Sequence, residues 1–247
     1  MLDDTELPPA THVTQLARQL CEQCSEADAR QFLARAAAAF CGCVAAAYGR
    51  RMPSGALDLT FAGPTDVVES LTRVFAGRAE ALATAALESA QPVVSSDVVD
   101  EQRWPDYATA LVQHTKIRSV QAHQVRLAGA DLGVLMLYST EPGYFTADRC
   151  QPGAMLADSA AIGLSLLESR NKAEHLTIAL KNSREIGQAI GILMATHKIT
   201  SEKAFDLLRT ASQHGHVKLR EVAREVTLTG QLPATEPTPC QRAHPFR

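Results

Sequence analysis

A short bend near the end of the sequence concentrates side chains that can hydrogen-bond and carry positive charge. It runs SQHGHVKLR over residues 212–220, and Lys218 and Arg220 supply its cations. Lysine and arginine attract phosphates, whereas glutamine and histidine can hydrogen-bond to unpaired bases or stack on them. The bend therefore predicts recognition of a structured polyanion. The candidate contact residues are Gln188, Lys198, Arg209, Ser212, Gln213, His214, Lys218 and Arg220.

The distribution of charge along the chain agrees with this prediction. The 247 residues carry a formal net charge of −3. Residues 181–230 hold eight basic and five acidic side chains, a local balance of about +3, so the remainder carries about −6. An acidic body with a mildly basic end predicts that a polyanion binds at the end. A solvated basic helix face explains the charge equally well.

Apolar spacing predicts that three short helices position the bend. Apolar residues recur at intervals of three and four in each, which is typical of a helix face packed on a core. Thr200 or Ser201 is the expected N-cap of the second helix. The residues expected to face inward are Ile186, Ala189, Ile190, Leu193 and Met194, then Ala204, Phe205, Leu207, Leu208 and Ala211, then Leu219, Val222, Ala223 and Val226.

Three blocks of this segment resemble the ANTAR domain, an RNA-binding module of transcription antitermination regulators. They are IGQAIGILM (186–194), AFDLLRTASQ (204–213) and KLREVAREV (218–226), and the resemblance covers about residues 170–230. It implies that the module recognises a pair of short hairpins in nascent RNA and so prevents a terminator from forming. This chain departs from the family at Ile190, where a basic residue is common, and at Val217, where arginine is common. Both departures imply weaker attraction to phosphate.

The preceding residues predict an α+β domain and a long helix. Two strands flank MPSG (52–55), and two more, 117–127 and 132–140, form a β-hairpin joined by Ala-Gly-Ala-Asp. A helix of about 25–30 residues follows, and its apolar stripe predicts dimerisation through residues 155–182. The stripe comprises Ile162, Leu166, Ser169, Ala173 and Leu176.

The segment RSVQAHQVRLAGADLGVLMLYSTEPGYFTADR (118–149) resembles the closing hairpin of a GAF domain, and the likeness extends over about residues 25–170. It implies a sensor for a small molecule, with an antiparallel sheet and flanking helices. Gln121 and His123 share one face of their strand, so they are candidate ligand contacts. The alternative is that they lie on a solvated face or at the rim of a dimer.

The predicted fold class is α+β: a GAF-like antiparallel sheet with flanking helices, a long connecting helix and an all-α three-helix bundle. The predicted segments are an N-terminal helix (1–24), a sensor domain (25–168), a linker helix with the ANTAR-like domain (169–230) and a disordered, proline-containing tail (231–247).

The sequence offers no sign of catalysis. It holds no phosphate-binding loop, nucleophile elbow or metal-ligand pair, so no enzyme activity, catalytic residue, metal or cofactor is expected. The pair Cys21 and Cys24 has no second pair at zinc spacing, and reduced thiols are the preferred interpretation of the six cysteines. No apolar run is long enough to span a membrane and no signal peptide is evident, so a cytoplasmic location is expected.

Three functions remain open from the sequence. The first is a signal-responsive antitermination regulator, a homodimer that binds hairpins of nascent transcripts and receives a small-molecule or protein signal. The second is a transcription regulator that binds DNA through a helix-turn-helix-like unit. The third is a protein-interaction module in signalling that binds no nucleic acid.

Overall fold

The computed structural model of the chain describes residues 9–76 and 81–233, with side chains from residue 14 onward. Contacts divide the chain into two compact units, Met1–Arg170 and Asn171–Arg247. Parts of two predicted segments, residues 1–8 of the N-terminal helix and 234–247 of the tail, lie outside the described residues.

The first unit contains a five-stranded antiparallel sheet. Its strands are β1 (Ala45–Arg51), β2 (Leu57–Ala62), β3 (Val93–Ser95), β4 (Ser119–Leu127) and β5 (Ala130–Ser139), in the order β2-β1-β5-β4-β3. Both predicted hairpins are confirmed. The turn between β4 and β5 is shorter than predicted, because Leu127 pairs with Ala130 and only Ala128 and Gly129 turn, with φ of 48° and 85°. Two consecutive residues with positive φ match the right-handed twist of a tight hairpin.

Eight helices complete the described structure. They are α1 (Pro9–Cys21), α2 (Glu26–Phe40), α3 (Thr65–Ala76), α4 (Ala81–Leu87), α5 (Pro105–His114), α6 (Ala147–His197), α7 (Ser201–Gly215) and α8 (Leu219–Thr229). The expected N-cap of α2 is confirmed, since the Ser25 hydroxyl accepts the backbone N–H of Asp28 at 3.1 Å. Thr200 caps α7 in the same way through the N–H of Lys203, at 3.4 Å.

The sheet of the first unit is covered on both faces, so it belongs to the predicted α+β class. Helices α3, α4 and α5 pack on one face, where Tyr107 and Tyr138 lie in the core with Leu82. Helices α1, α2 and α6 pack on the other face, around Leu137 and Leu156. The residue alternation of the strands supplies both cores, because successive side chains point to opposite faces.

The long helix extends further than its sequence indicates. Helix α6 has 51 residues, whereas a helix of 25–30 residues and a separate following helix were expected. Gly187 and Gly191 are helical, and open space surrounds the position that a Cβ would occupy at each. A glycine inside a helix costs stability but does not have to end it. Helix α6 therefore supplies residues to the cores of both units.

The second unit is built on a core of small residues. Helices α7 and α8 and the end of α6 enclose eight buried side chains: Ala189, Leu193, Ala204, Leu208, Ala211, Val222, Ala223 and Val226. Three residues expected in this core are instead on the surface, since Phe205 and Leu207 are each 38% exposed and Met194 is 37% exposed. Four alanines in the core leave little space for a larger side chain, which explains the difference.

We expect the contact between α1 and α6 to depend on Gly163. A methyl group at this position would lie 2.8 Å from the Ala17 carbonyl oxygen and 2.7 Å from Leu20 Cβ. Gly163→Ala should therefore lower the free energy of unfolding of the first unit by about 1–3 kcal/mol. Trp104, the only tryptophan, reports this transition by its fluorescence in urea.

Gly187→Ala is the matched control on the same helix, because its methyl group meets nothing within 4 Å. This variant should leave the Trp104 transition unchanged. Equal unfolding curves for the two variants would contradict the assigned packing of α1 on α6.

Candidate nucleic-acid interface and sensor site

The bend between α7 and α8 is a tight, internally bonded turn. The Ser212 hydroxyl donates to the Val217 carbonyl at 2.6 Å, and the Val217 N–H donates back to the Ser212 carbonyl at 3.1 Å. His216 closes α7 with φ of 50°, a left-handed conformation in which glycine is more common. Ser212, a candidate contact residue, is therefore engaged in holding the turn.

The structure places the other seven candidate contact residues on the surface. They are Gln188, Lys198, Arg209, Gln213, His214, Lys218 and Arg220. Gln213, His214, Lys218 and Arg220 lie in or beside the bend, and Arg209 lies one turn earlier on α7. Gln188 belongs to α6 and Lys198 to the α6–α7 turn, so neither is part of the bend.

Several cations of this unit are available to an external anion. Lys198, Lys203 and Lys218 form no ion pair with any described residue. The guanidinium of Arg209 lies 2.8 Å from the Asp206 carboxylate, and that of Arg220 lies 4.0 Å from Glu221. Both pairs are exposed, and exposed pairs of this kind contribute little and exchange readily with other partners.

The first turn of α8 adds backbone donors to these cations. Lys218 occupies the N-cap position and makes no side-chain capping bond. The first N–H groups of a helix have no partner within it and favour an anion, as does the helix dipole. The bend thus combines backbone donors, two cations and side chains able to bond bases.

The other candidate pair, Gln121 and His123, is buried inside the first unit. Gln121 is fully buried and His123 is 4% exposed, both on the sheet face covered by α6. The Gln121 side-chain amide donates to the Cys150 carbonyl at 3.1 Å and to His123 Nε2, and its Oε1 has no described partner. The alternative that this pair lies on a solvated face or at a dimer rim is therefore wrong. A ligand would have to displace α6 to reach the pair.

The start of α6 fits closely over this pair. A methyl group at Gly153 would lie 2.6 Å from His123 Nε2 and 3.0 Å from Leu137 Cδ1. Desolvation by burial lowers the pKa of His123 from 6.5 to about 4. His123 is accordingly neutral near pH 7, and its Nε2 is free to accept the amide proton.

A cleft on the opposite face of the sheet is accessible to a small molecule. Its volume is about 530 Å³, and its wall includes Val44, Val67 and Ile117. Its polar lining consists of Asp66, Ser70, Gln113, His114, Thr115, Lys116 and Thr140. Sequence reasoning missed these residues, because α3, α5 and the end of β5 bring them together from distant parts of the chain. A volume of this size is within the usual range of ligand sites.

Burial disfavours the reactive thiolate form of two cysteines in the first unit, Cys41 and Cys43. Burial raises the pKa of Cys41 to about 12 and that of Cys43 to about 11. Cys21 and Cys24 are free thiols, so the described residues form no disulfide at this pair. Within residues 9–76 and 81–233, no group of three His, Cys, Asp or Glu side chains is arranged to hold a metal ion. No helix in those same ranges has both the length and the apolar character needed to cross a membrane.

Comparison with protein families agrees with this architecture. A family model for the GAF domain matches residues 10–165, well over half of the chain. The chain belongs to the GAF domain family. A second family model, for the ANTAR domain, matches residues 174–226 and confirms the order of domains indicated by the sequence. The protein is therefore a GAF sensor domain followed by an ANTAR domain, the arrangement of a signal-responsive ANTAR regulator.

Solved structures show the same GAF fold at low sequence identity. The GAF domain of a phosphoenolpyruvate-protein phosphotransferase from Coxiella burnetii has 13% identity and a TM-score of 0.51, over 66% of this chain and 96% of that chain. The phycoerythrobilin-bound GAF domain of a cyanobacterial phytochrome has 12% identity and a TM-score of 0.51, over 67% and 99%. The GAF domain of the cyanobacteriochrome TePixJ has 12% identity and a TM-score of 0.50, over 61% and 95%. No curated protein matches the chain.

We expect burial of His123 to make the GAF domain sensitive to acid. Its pKa is about 4 in the folded protein and near 6.5 in the unfolded chain. Between these values the unfolded chain binds a proton that the folded protein does not, so the free energy of unfolding falls as pH falls from about 6.5 to 4. The expected loss from this group reaches about 3 kcal/mol at the acid end.

Urea unfolding between pH 4.5 and 7.5, followed by Trp104 fluorescence, measures this loss. His123→Gln should flatten the pH dependence, whereas His114→Gln, which removes an exposed histidine, should not. A His123→Gln variant that keeps the wild-type slope would show that His123 does not titrate in this window.

Proposed function

We propose that the protein is a cytoplasmic antitermination regulator in which the GAF domain receives a signal and the ANTAR domain binds paired hairpins of a nascent transcript. The observation that carries the proposal is the ANTAR match over residues 174–226, together with the exposed, cationic bend inside it. Hairpin loops are read by polar groups on unstacked bases and by cations on phosphates, and the bend presents both. The proposal includes no catalytic step.

The input of the proposed regulator is a small molecule or a partner protein at the GAF domain. For a small molecule, the cleft between α3 and α5 supports the proposal better than the buried pair Gln121 and His123. Its lining contains a carboxylate, Asp66, and an ammonium group, Lys116, beside apolar walls. The cleft can therefore bind a polar molecule through both charge and apolar contact.

The proposed active form is a homodimer. All five members of the predicted apolar stripe on α6 are exposed, including Ile162 at 44%, Leu166 at 52% and Leu176 at 64%. Leu180 extends the stripe by one more step of four residues and is 71% exposed. Apolar residues repeated at alternating spacings of three and four are typical of a coiled-coil seam. A second copy of α6 would remove this stripe from water.

Direct binding measurements test the proposed function. Purified protein should bind an RNA with two hairpins more tightly than duplex DNA of the same length at matched salt concentration. Preference for the duplex would favour the helix-turn-helix alternative, and salt-independent failure to bind either nucleic acid would favour a protein-interaction module.

The cations of the bend should contribute through phosphate contacts. Lys218→Ala with Arg220→Ala is expected to weaken RNA binding and to reduce the slope of log affinity against log salt concentration by about one unit for each lost contact. The matched control, Lys181→Ala with Lys203→Ala, removes two exposed lysines outside the bend and should keep the slope. An unchanged slope in the Lys218/Arg220 variant would exclude both residues from the interface.

The exposed stripe of α6 should control the oligomeric state. Leu176→Glu with Leu180→Glu is expected to give a monomer by sedimentation velocity, because it places four carboxylates in the seam of a dimer. The monomer should bind the two-hairpin RNA less tightly, since its two sites are no longer linked. His175→Glu with Ala179→Glu adds the same charge at exposed positions off the stripe and should remain dimeric. A monomeric variant with wild-type affinity for the two-hairpin RNA would contradict the dimer proposal.

A further inference from the structure

Phe205 is an aromatic side chain at the margin of the core of the ANTAR domain. It is the only Phe, Tyr or Trp between residues 171 and 233, and it is 38% exposed. Its neighbours Ala204 and Leu208 are fully buried, so Phe205 lies at the margin of the packed face of α7. The ring thus presents apolar surface to solvent in a small domain that has few large side chains to bury.

The position of Phe205 on α7 groups it with candidate RNA contacts. Residues four apart on a helix are neighbours on one face, so Phe205, Arg209 and Gln213 follow one another along the same side of α7. Arg209 and Gln213 are both exposed. The buried residues Ala204, Leu208 and Ala211 lie on the adjoining side.

Leu207 shows that apolar exposure alone does not define this surface. It is also 38% exposed, but it is two residues away and therefore about 200° around the helix from Phe205. Arg209 and Gln213 do not share its side of α7. The surface made by Phe205, Arg209 and Gln213 combines an aromatic ring, a guanidinium and an amide in one line.

This combination fits consecutive unpaired bases and their phosphates. Bases in hairpin loops are unstacked, and proteins commonly receive them on an aromatic ring. Such stacking accepts any base and contributes about 1–3 kcal/mol per base, while arginine bonds phosphate and an amide can bond the base edge.

We propose that Phe205 is the stacking platform of the ANTAR domain, on which an unpaired loop base of the RNA lies, with Arg209 contacting phosphate and Gln213, two helical turns further along α7, contacting the edge of a neighbouring base. The proposal rests on the proposed RNA-binding function and assigns a specific base contact within it. It makes Phe205 a contact residue. Because stacking does not depend on charge, a stacked base would offset part of the phosphate attraction that is lost at Ile190 and Val217.

Three variants of the 247-residue chain test the platform against a single stem-loop RNA. Phe205→Ala should weaken binding about ten- to a hundredfold and leave the salt slope unchanged, because no phosphate contact is lost. Phe205→Trp should bind at least as tightly as the wild type, since indole also stacks. Leu207→Ala, the equally exposed control, should bind within twofold of the wild type.

An RNA with one abasic loop position identifies the stacked base. At that position, removal of the base should weaken binding by the wild-type protein as much as Phe205→Ala does, and should cost the Phe205→Ala variant nothing further. Phe205→Leu keeps apolar volume at the margin of the core and should show the same loss of binding as Phe205→Ala. This variant separates stacking from folding, which circular dichroism of each variant also monitors.

The remaining outcomes overturn the proposal. Equal binding by Phe205→Ala and Leu207→Ala would exclude a stacking role. A change of sedimentation behaviour without a change in stem-loop affinity would show that a second copy of the chain covers Phe205. Failure of the wild-type protein to bind any stem-loop at low salt would reject the proposed function, and the platform with it.

Discussion

One continuous helix is the constraint on which the rest of the molecule depends. Helix α6 buries Leu156, Leu164 and Leu167 in the GAF core and Ala189 and Leu193 in the ANTAR core. Between these contacts, residues 172–181 are all exposed. A helical stretch that lacks tertiary packing is marginal in water, because most helical stability in proteins comes from burial of one face. The helical conformation of this stretch can therefore be stabilised by the packing at both ends of α6 and by a second helix along the exposed stripe.

The GAF end of α6 lies against a buried polar contact as well as apolar residues. Gln121 bonds His123 and the Cys150 carbonyl, and Gly153 leaves only enough space for the imidazole. Buried polar groups are costly unless they are bonded, so this arrangement is sensitive to small shifts of β4 relative to α6. The polar cleft borders the other face of the same sheet. A ligand that moved β4 would consequently change the contact at the first turns of α6.

The sequence predicts the secondary structure and domain types that local patterns determine. It does not predict burial or the cleft, which depend on packing between segments remote in sequence. Residue alternation was sufficient for the β4–β5 hairpin, and the three blocks were sufficient for the ANTAR domain. Alternation could not distinguish a solvated face from a buried one at Gln121 and His123, because a bonded polar pair has the same spacing in both. Helical spacing placed Phe205 inward, whereas the ring lies at the margin of the core and is 38% exposed. The polar cleft is formed by segments remote in sequence, and no local pattern reveals it.

The small core of the ANTAR domain has a thermodynamic consequence for regulation. Eight buried side chains, four of them alanine, provide little apolar burial for a unit of this length. Whatever binds only the folded unit adds its own free energy of binding to the stability of that unit. A partner along α6 and an RNA at the bend would therefore each stabilise the same folded state, so that each favours the binding of the other. Coupling of this kind requires no rigid link between the domains, only that the ANTAR domain is close to its folding midpoint when neither is bound.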